Sequence, residues 1–423
     1  MLIEFSVANF RSFRERQTLC MSAAPRLPKP ENTFATDTAE TLPSLLKVAA
    51  IYGANASGKS SLVMAMGMIS KLLRRRPDSS RPLPVEPFRF DAALLDKPSE
   101  FEVHFIASGT RYQFCLGVTR ERITQEALMA YPCGKALPLY ERIYADGRDV
   151  YTFGHDFDGN EMLKEAWTKL TGPRSLFISQ VVANSSEQMQ QLRMPHAWLQ
   201  DGMIVLSDNL SRWSNYAKKL AVDDTWSSGI ATFLQDLDVP VTDVRFEPNG
   251  KEPCLDRRDN EDDDVADVSR SEGRTTLTHK TRLGTANFDF AEESRGTQNL
   301  IGVFLPWVML NSTVPESYRV LVIDEFDSSL HPELMRDLVN RHLISSPNTQ
   351  LIFTTHDTNL MSTNLLRRDQ FWITDRDSNG ATKLDSIFSF EGREDEDIER
   401  RYFEGRYRGL PIRRRSEGSA TRA

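Results

Sequence analysis

Residues 53–60 read Gly53-Ala54-Asn55-Ala56-Ser57-Gly58-Lys59-Ser60, a complete G-x-x-x-x-G-K-[ST] phosphate loop placed directly after the apolar run Val48-Ala49-Ala50-Ile51. The pattern constrains the fold because such a loop works between a buried strand and the N-terminus of a helix. Its backbone N–H groups wrap nucleotide phosphates, Lys59 reaches the β and γ oxygens, and the Ser60 hydroxyl binds Mg²⁺. Ser61-Leu62-Val63-Met64-Ala65-Met66 supplies the helix start. A Gly-rich turn without a nucleotide is the bland reading, and the flanking strand and helix argue against it.

With 423 residues the chain is long for one core, so one large lobe or two intimately joined lobes are expected. Composition is that of a globular protein, 39% hydrophobic and 26% charged. No apolar run approaches the ~20 residues of a membrane helix. The start, Met1-Leu2-Ile3-Glu4-Phe5-Ser6, has no basic region followed by an apolar stretch, so no secretory signal is expected. Cys20, Cys115, Cys133 and Cys254 lie far apart, which argues against a zinc site or a disulfide framework and fits a reducing cytoplasm.

A net charge of −8 is a poor footprint for a chain that coats nucleic acid. Two basic clusters, Arg74-Arg75-Arg76 and Arg413-Arg414-Arg415, read as a solvated helix end and a ragged tail. A DNA or RNA contact remains the alternative reading of both.

Residues 2–7 alternate as a strand, Asn9-Phe10-Arg11-Ser12-Phe13 turns away, and Gln17–Cys20 is the hairpin partner. Residues 21–44 read as loop, and the phosphate-loop unit spans about 46–73. Short alternating runs at 101–105, 112–118 and 139–143 predict an antiparallel sheet. Residues 185–236 read as mainly helical. The charged stretch 256–273 is expected to be a surface loop, and a second α/β unit runs from near 286 to about 390. These elements divide the chain into an N-terminal lobe (1–184), a helical lobe (185–255), the acidic loop (256–273), a C-terminal lobe (274–411) and a disordered tail (412–423).

The second half of a nucleotide site is written at 318–325, where Tyr318-Arg319-Val320-Leu321-Val322-Ile323 ends in Asp324-Glu325. A continuous aliphatic run is the mark of a buried parallel strand, and ligands sit outside the carboxyl ends of such strands. Asp324 is placed to hold Mg²⁺ opposite Ser60, and Glu325 to orient or deprotonate the attacking water. A further strand, Gln350–Thr354, leads into Thr355-His356-Asp357, putting His356 beside the γ-phosphate. Pro332 suits the first turn of a helix over 333–343. Upstream, Ser294-Arg295-Gly296-Thr297 precedes an apolar helix, Leu300–Leu310, and its turn offers free N–H groups and a hydroxyl. One nucleotide rarely needs two cradles, so this second device is expected to serve a partner subunit.

The order of these elements resembles ABC-type ATPase heads of the branch containing RecF, SMC-like and OLD-type proteins. The resemblance covers residues 1 to about 411. Gly53–Ser60 matches Walker A and Val320–Glu325 matches Walker B. Ser294–Thr297 looks like the signature motif, Ser328-Ser329-Leu330-His331-Pro332 like the D-loop, and His356 like the switch histidine. Asn9–Phe13 looks like that branch's opening turn, which implies nucleotide contacts from Arg11 and Ser12 beside Gly53–Ser61. The closing Tyr402–Tyr407 and Pro411 look like compact AAA/ABC ATPases of bacterial anti-phage and abortive-infection systems. The implied fold is an α/β P-loop ABC-type head with an antiparallel β subdomain and an inserted helical lobe. The implied cofactors are ATP and Mg²⁺, with Lys59, Glu325 and His356 catalytic and Ser294, Gly296, Thr297 and Ser329 acting in trans.

Departures bound what carries over. The signature reads Ser-Arg-Gly-Thr instead of Ser-Gly-Gly-Gln. The Q-loop metal contact falls on Gln180, ending the strand-like run Leu176-Phe177-Ile178-Ser179, with Gln188 as rival. About 230 residues separate Walker A from the signature, too few for SMC arms. No nuclease domain is expected after His356, and Asp375-Arg376-Asp377 reads as a structural strand end. The expectation is therefore an ATPase that pairs with itself and regulates a separate effector, such as a TOPRIM-like or HNH nuclease. A RecF-like ATPase acting on DNA, an ATP-binding scaffold with little turnover and a motor for a separate membrane subunit are the rival readings.

Overall fold

The computed structural model describes residues 1–36, 38, 41–75, 81–186, 190–207, 210–248, 273–311, 320–328, 330–345, 348–393 and 396–410. The N-terminal part contains β1 (Leu2–Ala8), β2 (Gln17–Cys20), β3 (Thr33–Phe34), β4 (Leu45–Leu46), β5 (Val48–Tyr52) and α1 (Lys59–Leu73). It continues through β6 (Ser99–Ala107), β7 (Thr110–Val118), β8 (Ile123–Tyr131), β9 (Leu137–Ala145) and β10 (Arg148–Phe153). The middle holds α2 (Glu161–Leu170), α3 (Phe177–Ala183), α4 (Gln190–Asp201), β11 (Met203–Leu206), α5 (Leu210–Leu220), α6 (Asp224–Asp236) and β12 (Val241–Pro248). The last part contains β13 (Gly273–Thr281), β14 (Gly284–Asp289), α7 (Arg295–Asn311), β15 (Val320–Ile323) and α8 (Pro332–Ser345). It closes with β16 (Gln350–Thr354), β17 (Phe371–Arg376), β18 (Thr382–Ser386) and α9 (Ile398–Phe403).

The central sheet has the order β11-β15-β16-β5-β17-β18. Its first five strands are parallel, and β18 folds back antiparallel on β17. Strands β5, β15 and β16 are buried along their whole length. Successive side chains point to opposite faces, so each apolar run feeds two cores. Ala49, Ile51, Val320, Val322 and Ile352 pack on the face covered by α1 and α4. Val48, Ala50, Tyr52, Leu321, Ile323, Leu351 and Phe353 pack on the face covered by α7 and α8. One sheet thus joins both halves of the chain. This is why the phosphate loop after β5 and the acidic end of β15, far apart in sequence, stand at the same edge of one sheet with only β16 between them.

The antiparallel sheet has the order β10-β9-β8-β7-β6-β1-β2 and contains all three alternating runs. The β1–β2 hairpin forms as the alternation requires, pairing Phe5 with Leu19.

The described part of 185–236 is mainly helical, as expected, but β11 within it pairs parallel with β15 at the edge of the central sheet, and β12 just beyond joins β13 and β14 in a separate three-stranded sheet. A four-residue strand is too short for alternation to register. One expectation is corrected. The run Leu176–Ser179 forms the start of α3 instead of a strand, because the buried Glu126 carboxylate accepts the N–H groups of Phe177 and Ile178 at 2.7 and 3.0 Å. Gln180 therefore sits on a helix, where its carbonyl accepts from the Asn184 side chain. Among the described residues no hydrogen bond ties Gln180 to Ser60 or Asp324. Gln188, Ser329, Arg76, the stretch 256–272 and residues 411–423 lie outside the described residues.

Candidate nucleotide site

The phosphate loop leaves β5 at Gly53 and enters α1 at Lys59, with Gly53 at φ 151° and Gly58 at φ 112°. Neither position has room for a side chain. A Cβ on Gly58 would lie 2.0 Å from Thr382 Oγ1, and one on Gly53 would lie 2.3 Å from Thr374 Oγ1. These two threonines, on β17 and β18, hold the loop from behind. Ser57 and Thr374 share a hydroxyl–hydroxyl bond of 2.5 Å, and Thr374 also donates to the Tyr52 carbonyl at 3.1 Å. Thr382 donates toward the Ser57 carbonyl and the Ser12 hydroxyl, 2.8 Å each, while its N–H donates to the Ser12 carbonyl. Sequence reading did not single out either threonine, since each sits inside or beside an ordinary strand hundreds of residues from the loop.

Lys59 folds over the loop and donates to the carbonyls of Gly53 at 2.8 Å and Ala54 at 3.2 Å. Burial pulls its pKa below the usual lysine value, opposed by the charges of Asp324, Asp327 and Glu325. Asn55 and Ala56 are exposed, and Ala54, Ser60 and Ser61 are half-buried.

The acidic end of β15 is set by one hydroxyl on β16. Thr354 donates to Asp324 Oδ1 at 2.5 Å and accepts the Glu325 N–H at 2.7 Å. Glu325 takes φ 50°, a left-handed conformation that costs energy in a residue with a side chain. The Asp327 carboxylate, unnoticed in the sequence, accepts the backbone N–H of His356 at 3.0 Å through Oδ2, so it ties the turn after β15 to His356. Because β16 lies between β15 and β5, His356 leaves the sheet between the acidic turn and the phosphate loop. Its ring is exposed, and burial first, then Lys59, pulls its pKa below the usual histidine value. A neutral imidazole is the form that results at neutral pH, able to donate one N–H to a phosphate oxygen.

The donor set fits Mg²⁺ bound together with a nucleotide. That ion takes one or two carboxylates, a hydroxyl and phosphate oxygens, keeping several waters. Among the described residues no cluster of three His, Cys, Asp or Glu side chains is arranged to hold a metal alone. Asp327 Oδ1 is buried without a hydrogen-bond partner among the described residues, an unmet acceptor close to this turn. Ser60 and Asp324 are the residues that would hold the ion, which supplies charge neutralisation to the phosphates.

The turn Ser294-Arg295-Gly296-Thr297 opens α7. Ser294 and Arg295 are exposed, Gly296 is half-buried and Thr297 is buried. Ser294 Oγ accepts the Thr297 N–H at 3.2 Å, so within its own chain this serine caps the helix. The turn is braced by Gln298, which donates to the carbonyls of Phe290 and Glu293, and by His279, paired with Glu293 at 2.6 Å. Gly296 also lines a narrow cavity with Asp324, Glu325 and Ser328. Arg11 and Ser12 line a separate cleft with Ala56 and Ser61. Arg74 caps the end of α1 and pairs with Asp201 at 2.6 Å, in keeping with a helix-end role. Asp377 Oδ1 closes the β17–β18 turn by accepting the N–H groups of Asn379 and Ala381, in keeping with a structural reading of that acidic pair.

A parallel sheet with a phosphate loop, an Asp-Glu strand end and a histidine on the strand between them has the make-up of a P-loop nucleotide-binding fold. The chain belongs to the family described as AAA domain, putative AbiEii toxin, Type IV TA system, whose model matches residues 48–160 and 210–362. No curated protein matches it. Among solved structures, an SMC head bound to the C-winged helix domain of ScpA is similar at 13% identity, with a TM-score of 0.42 over 91% of this chain and 97% of that one. The SMC head domain from Thermotoga maritima is similar at 14% identity, with a TM-score of 0.39 over 91% and 98% of the two chains. An SMC head with an extended coiled coil, bound to the C-terminal domain of ScpA derived from Pyrococcus furiosus, is similar at 14% identity and a TM-score of 0.38, over 91% and 96%. Among the described residues no helix is long and apolar enough to cross a membrane.

Proposed function

We propose that this chain hydrolyses ATP at a site completed by a second copy of itself, and that the cycle of pairing and release governs a separate effector in bacterial anti-phage defence. The observation that carries the reading is the meeting of Lys59, Asp324, Glu325 and His356 at the carboxyl ends of three adjacent strands. In this scheme the loop N–H groups and Lys59 hold the β- and γ-phosphates. Glu325 takes a proton from the attacking water, and neutral His356 donates to a γ-phosphate oxygen. Ser60 and Asp324 would hold a bound Mg²⁺, which would supply neutralisation of the phosphate charge. The exposed Ser294 turn of one copy caps the nucleotide of the other, its helix N-terminus favouring the anion.

The family's description as a putative AbiEii toxin of a Type IV system supports a defence role. A TOPRIM-like or HNH nuclease is the effector class proposed. The assignment of chemistry is tested by ATP turnover of the unaltered chain and of Lys59→Ala and Glu325→Gln. Loss of turnover in both, with ATP-dependent self-association kept by Glu325→Gln, is the expected result. Undiminished turnover in both variants would defeat the catalytic assignment.

A further inference from the structure

The cleft beside the phosphate loop contains more than Arg11, Ser12, Ala56 and Ser61. It encloses about 310 Å³, and its far wall is made by Phe90, Arg89 and Glu86, with Arg376 and Gly380 from the β17–β18 turn. Phe90 is 72% exposed and is contacted from behind. The fully buried Phe88 ring meets it edge-on at 5.7 Å, and the Phe88 N–H donates to the buried Asn9 side chain at 3.0 Å. Asn9 in turn donates to the carbonyls of Leu94, Lys97 and Pro98. The Arg376 guanidinium lies 5.7 Å from the centre of the Phe90 ring. A Cβ on Gly380 would come 3.3 Å from that ring, so the turn approaches it closely.

A solvent-facing aromatic ring beside a guanidinium, sharing a cleft with the start of a phosphate-gripping helix, is suited to a flat heteroaromatic group attached to a phosphate chain. Every base presents a π-face, and a cation next to the ring strengthens stacking. We infer that Phe90 is the platform on which the purine base of the bound nucleotide stacks, with Arg376 as its flanking cation. The inference rests on the nucleotide reading above and adds its base-recognition residues. Triphosphate affinity then divides into two parts: the loop and Lys59 grip phosphate, and Phe90 grips base.

The test compares binding of Mg-ATP and of inorganic tripolyphosphate, with the same Mg²⁺, to the full chain by calorimetry. Phe90→Ala is expected to weaken ATP on the order of tenfold, from the usual strength of base–aromatic stacking, and to leave tripolyphosphate unchanged. Phe90→Trp is expected to retain ATP affinity. Lys59→Ala is expected to weaken both ligands. Phe90 is exposed, so an unchanged melting temperature in Phe90→Ala confirms that the variant folds. If both ligands bind the unaltered chain and Phe90→Ala loses nothing against ATP, the platform is overturned and the nucleotide reading stands. If the unaltered chain binds neither ligand, the nucleotide reading falls and takes the platform with it.

Discussion

The Thr354 hydroxyl donates to Asp324 Oδ1 at 2.5 Å while accepting the backbone N–H of Glu325 at 2.7 Å. One side chain on β16 therefore sets both carboxylates at the end of β15. It aims the Asp324 carboxylate and stabilises the left-handed backbone at Glu325. Thr354→Val keeps the shape but removes both bonds. It is expected to cost about 1–3 kcal/mol of stability, the usual penalty for stranding buried polar groups. Turnover should fall further than melting temperature suggests, with a higher Mg²⁺ concentration needed for half-maximal rate. Titrating Mg²⁺ against ATPase rate checks this, and an unchanged Mg²⁺ requirement would remove Thr354 from any positioning role.

Gly58 gives a sharper steric case. Its φ of 112° and the 2.0 Å approach of a would-be Cβ to Thr382 Oγ1 act together. Gly58→Ala must either unwind the loop or push β18 away, and each outcome opens the cradle. ATP binding is expected to be lost, with destabilisation of about 1–3 kcal/mol from backbone strain and crowding. Calorimetric ATP binding with thermal melting tests both. Gly147, whose φ is also positive but which has open space around it, should tolerate Ala with only the backbone cost.

Acid should loosen the second core through His342. This ring is fully buried on α8, donates to the Lys47 carbonyl at 3.2 Å, and has its pKa pushed down to about 4, chiefly by burial and also by the nearby Lys47 charge. The folded state binds this proton less readily than the unfolded chain. Its contribution is therefore complete above the unfolded value near 6.5 and is lost as pH falls through about 4. The loss amounts to about 3 kcal/mol for a shift of this size. Urea melts of the unaltered chain and His342→Gln, taken between those pH values, should converge as pH drops. Parallel pH profiles would contradict the linkage.

The parts legible in the sequence were those whose meaning is local. Gly53–Ser60 and Val320–Glu325 each declare a strand end by apolar continuity followed by polar chemistry, and the central sheet brings them together. The antiparallel sheet was legible for the same reason, because alternation in runs such as Phe101–Phe105 is a local record of one buried face. What stayed hidden depends on long-range partners. Thr374 and Thr382 look like strand filler until the chain folds them against Ser57 and Ser12, more than three hundred residues away. The helix α3 reads as a strand until Glu126 takes its first N–H groups. β11 is a strand because β15 lies beside it, and its four residues hold too little pattern to show that alone.

The proposed sharing of the site between two copies makes a prediction that single-chain catalysis cannot imitate. Ser294 is the N-cap of α7, and Asp is an equally good cap, so Ser294→Asp keeps the helix while adding a negative charge where a partner's γ-phosphate would lie. That variant should fold normally and fail to turn over ATP, as should Lys59→Ala. Mixed together, the two inactive chains form hybrid pairs under the two-fold symmetry usual for such dimers. Each hybrid has one composite site carrying both changes and one carrying neither. With equal amounts and random pairing, about a quarter of normal turnover should return. If Ser294 instead acted only within its own chain, every site in the mixture would still carry a defect and nothing would be regained. Turnover of the mixture, measured after exchange of subunits and against each variant alone, therefore decides whether the nucleotide is gripped by one copy or by two.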